Sequence, residues 1–438
     1  MLKANPTTLV VFGATGDLFR TKLAPALLAL SDKKELPEFL RIVAFSRRPW
    51  DNEKFREFIR EALVSKAPDI STEILEAFLD RIFYCEGNFD TLESYQKVAE
   101  MFARFDAEAG VCTNKLLYLA TSPAFYETIL QKISSSGLAI PCAPVEGQSE
   151  TGWTRVLIEK PFGHDLKNAE RLDNLLAQLF TEEQIFRIDH YLAKETMRSI
   201  LQFRFSNGPF ESIWNSENID TIDVKFLEKD GVGSRGESYD GVGALRDVGQ
   251  NHLLQMATLV AMENPRKFSV EAIRKARAEV LEKFKLAETP PPLRAQYVGF
   301  REEKAVSPNS QTETYFRCTL NSSAPRWRDT AFVLEAGKAT GEHRVEIVIH
   351  FKKSHDLVCP VDAVCSAGDN TVKFDILSSS NKRSDAYERV LLDAIMGDQT
   401  LFISTAEVIA EWKLVEEIFK KWEKTELVHY AKGSMPKI

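Results

Sequence analysis

Long apolar runs are missing where a membrane or export signal would need them. Near the N-terminus the longest, Leu9 to Phe12, is followed at once by glycine. That is far short of the roughly 20 residues of a membrane span, and of a signal-peptide core. A cytoplasmic protein without membrane contacts is expected. Basic clusters are missing too: 56 Lys and Arg stand against 64 Asp and Glu, for a net charge of −8 and a pI near 5.6. Nothing here would track a phosphate backbone, so nucleic acid is not an expected partner. Cysteine is sparse, with six residues, no CxxC pair and no histidine at zinc-ligand spacing. Reduced thiols and no metal site are expected.

What is present is the mixture of an ordinary globular chain, 44% apolar and 27% charged. Its 438 residues exceed the roughly 250–300 at which one hydrophobic core stops growing, so two domains are expected. The start reads strand, glycine turn, helix, strand: Thr8–Phe12, Gly13–Gly16, Leu18–Leu30 and Arg41–Phe45. Apolar runs at Lys115–Ala120 and Arg155–Ile158 then alternate with amphipathic stretches at Asn52–Ser65, Thr91–Phe105 and Leu166–Phe180. This pattern predicts an α/β Rossmann-type dinucleotide-binding domain over residues 1–183. Beyond it the texture changes to extended segments at Thr221–Leu227, Thr312–Leu320, Thr330–Glu335, Arg344–Phe351 and Thr371–Leu377. Residues 184–438 therefore predict an α+β domain with a large, mainly antiparallel sheet. A long helix is expected after His252, a charged one at Ser269–Leu286, and surface turns around one short strand over 353–385.

Gly13 and Gly16 stand between a strand and a helix, where backbone N–H groups can receive a pyrophosphate and a side chain would block it. The third glycine of the usual fingerprint is absent. At the end of the second strand the acidic residue that commonly holds the ribose of NAD is absent as well, and Phe45-Ser46-Arg47-Arg48 stands there instead. Two guanidiniums suit a 2′-phosphate, which points to NADP, with NAD as the alternative.

Two strings concentrate chemistry. Asp189, His190, Tyr191 and Lys194 lie within six positions, and a helix starting near His190 would put Lys194 one turn on, where imidazole and ammonium could grip one phosphate. Arg246-Asp247-Val248-Gly249-Gln250-Asn251-His252 opens an otherwise apolar helix with polar groups. Together with GATGDL at Gly13–Leu18 and EKPFG at Glu159–Gly163, these strings resemble the glucose-6-phosphate dehydrogenase family. RAQY at Arg294–Tyr297, TETY at Thr312–Tyr315, the Arg326-Trp327 pair, Gly337-Lys338 and Ala386–Phe402 extend the likeness in order along nearly the whole chain.

The resemblance implies oxidation of glucose 6-phosphate to its lactone with hydride transfer to NADP, the first oxidative step of the pentose phosphate pathway. His252 would be the base and Asp189 would orient it. Lys160 would bridge nicotinamide and sugar, and Lys160-Pro161 would be a cis peptide. His190, Tyr191 and Lys194 would hold the phosphate. Glu228, Asp247, Lys338 and Lys22 would make further substrate contacts. Gly13, Ala14, Thr15, Gly16, Asp17, Leu18, Arg47 and Tyr118 would contact the dinucleotide. A homo-oligomer, dimer or tetramer, is also implied.

Ala193, Phe19 and Ala295 depart from the family's pattern but leave the reacting groups in place. The stretch between Phe351 and Ala386 is short, which leaves the oligomeric state open, and His343 and Arg344 stand in a shifted setting where a second basic phosphate contact is expected. Two rival readings are a dehydrogenase of an unphosphorylated sugar or polyol, which needs no phosphate grip, and a non-catalytic NADP-sensing module, which needs no base.

Overall fold

The computed structural model describes residues 5–141, 152–206, 208–353, 363–366, 370–377 and 385–437. Its first sheet consists of β1 (Thr7–Phe12), β2 (Leu40–Ser46), β3 (Ile82–Glu86), β4 (Asn114–Leu119), β5 (Thr154–Ile158) and β6 (Ile185–Arg187). They run in the order β3-β2-β1-β4-β5-β6, all parallel. This is the doubly wound order expected from the alternating sequence pattern. β1 lies mid-sheet, paired on both sides, and every one of its residues is buried. That is why it reads as an unbroken apolar run rather than an alternation. The helix Asn52–Lys66 buries Phe55, Ile59 and Leu63, spaced by four, and Asp51 caps it by accepting the Lys54 N–H at 2.8 Å.

The second sheet contains β7 (Ile219–Leu227), β8 (Phe284–Leu286), β9 (Leu293–Tyr297), β10 (Tyr315–Ser322), β11 (Ala331–Gly337), β12 (Arg344–Phe351), β13 (Ala363–Ser366), β14 (Thr371–Asp375) and β15 (Val428–Tyr430). Its order is β13-β14-β12-β7-β11-β10-β9-β15, with β8 on β10. Among the described residues only β7–β11 and β9–β15 pair in parallel; the sheet is mainly antiparallel, as expected.

The chain divides into two units whose boundary differs from the one expected at residue 183. One unit holds the described residues of Met1–Gly163, Glu170–His190 and Arg383–Ile403. The other holds those of His164–Ala169, Tyr191–Lys382 and Ser404–Ile438. β6 belongs to the first because it pairs with β5, and the Ile188 N–H continues that register to the Ile158 carbonyl at 2.9 Å. The late segment belongs there through backbone demand: Arg155 donates to the carbonyls of Ala394 and Ile395 at 2.8 Å, and Gln399 donates to those of Glu182 and Ile185.

The helix expected over Ser269–Leu286 stops at Lys283, because Phe284–Leu286 is drawn into the ladder as β8, with Phe284 packed on Phe332. His252 lies inside the helix that its polar string opens: a wide π-type segment, Leu245–Leu253, continues as α-helix Leu254–Ala261. Of the expected surface turns over 353–385, much lies outside the described residues; those described include both β13 and β14. Cys85 and Cys318 are free buried thiols, as expected, but Cys112 and Cys365 are each disulfide-bonded, against the expectation of reduced thiols throughout. Among the described residues no helix is long and apolar enough to cross a membrane.

Under the second sheet, Arg277 of helix Val270–Lys283 meets Glu407 of helix Thr405–Trp422 at 2.7 Å, both side chains fully buried. Glu407 also accepts the Ser404 N–H at 2.8 Å in a capping box. Removing one partner strands a buried charge. For Glu407→Ala we expect a loss of about 3–5 kcal/mol in urea unfolding; a loss under about 1 kcal/mol would show that the pair is not what joins these helices.

Candidate active site

In a parallel sheet every strand delivers its C-terminal end to the same edge. The first unit has a cleft of about 760 Å³ there, lined by the residues that leave those ends. Gly13, Thr15, Gly16 and Leu18 follow β1, Ser46 and Arg47 close β2, Asn88–Asp90 follow β3, Ala120–Ser122 follow β4, and Glu159 and Lys160 follow β5. Gly13 has φ +93°, and a Cβ there would lie 2.6 Å from the Ala120 carbonyl oxygen. Only glycine fits that conformation and that approach.

The cradle works differently from the simplest sequence reading. The N–H groups of Gly13 and Ala14 are both taken by the Phe45 carbonyl, at 2.9 and 3.1 Å. The Arg20 N–H reaches the Gly16 carbonyl at 3.3 Å, which makes Gly16 the helix cap. The donors left for an anion are the first-turn N–H groups that begin at Asp17 and Leu18. Thr15 is fixed by its hydroxyl, 2.6 Å from that of Ser46. Of the two arginines, Arg47 lines the cleft, whereas the Arg48 guanidinium stacks 4.8 Å over Trp50. A glycine floor, a helix start and one guanidinium at the end of β2 suit a dinucleotide with a 2′-phosphate.

Lys160 follows β5 into the cleft, and Lys160-Pro161 is cis, as expected. Its neighbour Glu159 was not singled out from sequence. The Tyr118 hydroxyl donates to its carboxylate at 2.6 Å, the Tyr387 hydroxyl donates to the same group, and the Tyr126 hydroxyl reaches its main-chain oxygen at 3.0 Å. Burial pushes the Glu159 carboxyl up to about 7, against the pull of Tyr118 and the Lys160 charge. Burial also drives the Tyr118 and Tyr387 hydroxyls up, so they remain donors. Tyr118, expected at the dinucleotide, is thus fully buried and reaches the cleft through Glu159. In the same unit His190 stacks on Tyr387 at 5.8 Å, Asp189 is buried, and Lys22 sits half-exposed 3.9 Å from Asp385.

The second unit gathers the remaining candidates. Lys338, expected as a substrate contact, is buried; its ammonium bonds Glu228 and lies 3.3 Å from Asp247. Tyr239 offers its ring face to the same ammonium at 5.2 Å. The three residues named as sugar contacts therefore form one ion-paired group. Five positions after Asp247, the buried His252 ring packs 4.4 Å from that of Tyr191, with Phe226 behind it at 6.0 Å. The Lys194 ammonium lies 4.3 Å from the Tyr191 ring.

No helix starts at His190. The chain turns, with the Lys194 N–H on the Tyr191 carbonyl at 3.1 Å, and the helix begins at Glu195. The backbone is still tied to β5 at Ile188 and must turn before it can coil. Arg344 pairs with Glu342 and Glu346. Asn88, Phe89, Asp90, Thr121 and Ser122 were missed; the rule that open α/β sheets bind ligands beyond their strand ends would have found them once β3 and β4 were placed.

Residues 10–199 match the family described as glucose-6-phosphate dehydrogenase, NAD binding domain, and residues 201–377 and 366–437 match its C-terminal domain. A glucose-6-phosphate 1-dehydrogenase of Chlamydia muridarum is 36% identical, over 98% of this chain and 93% of its own length. A solved glucose-6-phosphate dehydrogenase in complex with its substrate glucose-6-phosphate superposes with a TM-score of 0.86 at 30% identity, covering 100% of this chain and 97% of that one. A glucose-6-phosphate 1-dehydrogenase of Mycobacterium avium superposes with a TM-score of 0.80 at 27% identity, over 98% and 95%. From the glycine cradle to the group around Lys338, the chain belongs to the glucose-6-phosphate dehydrogenase family.

Proposed function

We propose that this chain oxidises D-glucose 6-phosphate to the 6-phosphoglucono-lactone with NADP, using His252 as its general base and Asp189 to orient the imidazole. The observation that carries the reading is that one helical segment presents both Asp247, engaged by Lys338, and His252, packed on Tyr191. A sugar-binding group and a base on the same short segment is the arrangement that proton abstraction from a bound sugar needs.

When bound, NADP supplies the hydride acceptor. His252 takes the proton of the anomeric hydroxyl while the hydrogen on that carbon departs with its electron pair, so the carbon–oxygen bond becomes the lactone carbonyl and the proton stays on the imidazole. Asp189 fixes the tautomer and favours the charged ring. Glu228, Asp247 and Lys338 hold sugar hydroxyls, their mutual ion pairs fixing all three before substrate arrives. His190, Tyr191 and Lys194 hold the 6-phosphate. Lys160 would bridge the nicotinamide and a sugar hydroxyl, and Lys22 would add a further substrate contact. Gly13, Ala14, Thr15, Gly16, Asp17 and Leu18 shape the pyrophosphate turn, and Arg47 takes the 2′-phosphate. A homo-oligomer belongs to this reading on resemblance alone.

The test is the absorbance of reduced cofactor with glucose 6-phosphate, run with NADP and NAD in parallel and with unphosphorylated glucose as control. Turnover that needs the phosphate is expected; equal turnover of glucose would favour a polyol dehydrogenase, and no turnover at all a binding module. Arg47→Ala should weaken NADP about 10- to 100-fold, the value of a charge-assisted bond, and leave NAD nearly unchanged in fluorescence titration. Equal weakening of both would place the 2′-phosphate elsewhere. His252→Asn should lose about 10²–10⁴-fold in kcat while still binding NADP, and a nearly active variant would refute its role as base.

A further inference from the structure

The TETY stretch at Thr312–Tyr315, singled out in the sequence, finds no place in that mechanism, and neither does the glycine turn Gly241-Val242-Gly243. They meet at Glu313, a carboxylate only 5% exposed in the second unit. Its Oε1 accepts the Leu245 N–H at 3.0 Å, at the first residue of the segment that carries Asp247 and His252. Its main-chain oxygen accepts the Ala244 N–H at 3.1 Å. Gly243 has φ +78°, and a Cβ there would lie 2.2 Å from that same Oε1, so the turn is glycine because the carboxylate fills its place.

The neighbouring residue ties in the sugar group from the other side. The Thr314 carbonyl accepts the Lys338 N–H at 2.9 Å, and the Lys338 ammonium lies 3.3 Å from Asp247. Farther along the segment, Gly249 presses on Phe316 so closely that a Cβ would lie 2.7 Å from the ring. The stretch from Glu313 to Phe316 therefore grips the segment at its start and again between Asp247 and His252. It holds the backbone of Lys338 as well.

We propose that Glu313 is a positioning residue of the reaction: by capping the segment that carries Asp247 and His252, it sets the distance between the bound sugar hydroxyl and the base. The carboxylate does this by accepting the Leu245 N–H where the segment begins, an end that has no upstream carbonyl of its own to use. The proposal rests on the assignment of His252 as base.

The experiment compares Glu313→Ala and Glu313→Gln with the unaltered enzyme for kcat, KM for glucose 6-phosphate, NADPH affinity by fluorescence, and Tm. In the alanine variant we expect KM to rise and kcat to fall, each about 10-fold, as for a small misplacement of reacting groups. NADPH affinity should stay within about 2-fold of its original value, because the cleft belongs to the other unit. The glutamine variant, whose amide oxygen can still accept from Leu245, should recover both constants to within about 3-fold. Unchanged kcat and KM in the alanine variant would overturn the proposal. So would a glutamine variant as impaired as the alanine one, or NADPH affinity falling in step with Tm. Should the alanine variant not fold, the glutamine variant decides: constants close to the original uphold the proposal, and a 10-fold loss overturns it. Failure of the His252 assignment would appear separately, as an active His252→Asn enzyme.

Discussion

Parallel pairing is the constraint on which the cofactor cleft depends. Parallel strands cannot be joined by tight hairpins, so each connection from β1 to β6 must travel back along the sheet, and every strand ends at the same edge. The loops leaving β1, β2, β4 and β5 are thereby brought together although more than a hundred residues separate the first from the last. Gly13 completes the arrangement, since its backbone must pass the Ala120 carbonyl where β4 ends. The second unit solves a different problem. Its helical segment from Leu245 carries polar groups inside a mostly apolar setting, and each is answered by a fixed partner: Asp247 by Lys338, Gln250 and Gln255 by the buried Glu411.

Much of this was legible from residue order. β1, β2, β4 and β5 could be read because strands buried on both faces are continuous apolar runs; in the second unit β7, β10, β11, β12 and β14 were read as extended segments, several of them alternating, but β8, β9, β13 and β15 were not. β3 and β6 were not read. Each is short and lies at an edge of the sheet, and β6 merges without punctuation into the Asp189 string. The helix-to-strand change at Phe284 escaped for the opposite reason: its local pattern is helical, and pairing with β10 overrides it.

The site was legible in its residue types and less so in its geometry. The glycine turn and Arg47 could be named in advance because their chemistry is tied to short strings, whereas Lys160, Glu228, Asp247 and Lys338 were named through the family resemblance. Glu159 and Glu313 could not be named, because a carboxylate is ordinary in sequence and becomes informative only when it is buried among donors contributed from far along the chain. The burial of Lys338 is the same lesson in reverse. A lysine after a glycine suggests a solvated turn until Glu228 and Asp247 are seen to surround its ammonium.

The late segment around Tyr387 has a consequence for how the molecule is made. The first unit is not complete when its sheet is complete: Arg155 still lacks the carbonyls of Ala394 and Ile395, and Glu159 lacks the Tyr387 hydroxyl. On a ribosome those groups emerge only after the whole second sheet except β15 has been synthesised. The nascent Rossmann unit therefore waits through most of translation, with Arg155 short of its carbonyl acceptors and Glu159 held by Tyr118 alone of its two tyrosines. A fragment ended at the close of the first sheet would carry every residue that lines the cleft, but not the Tyr387 hydroxyl that braces Glu159 beside Lys160.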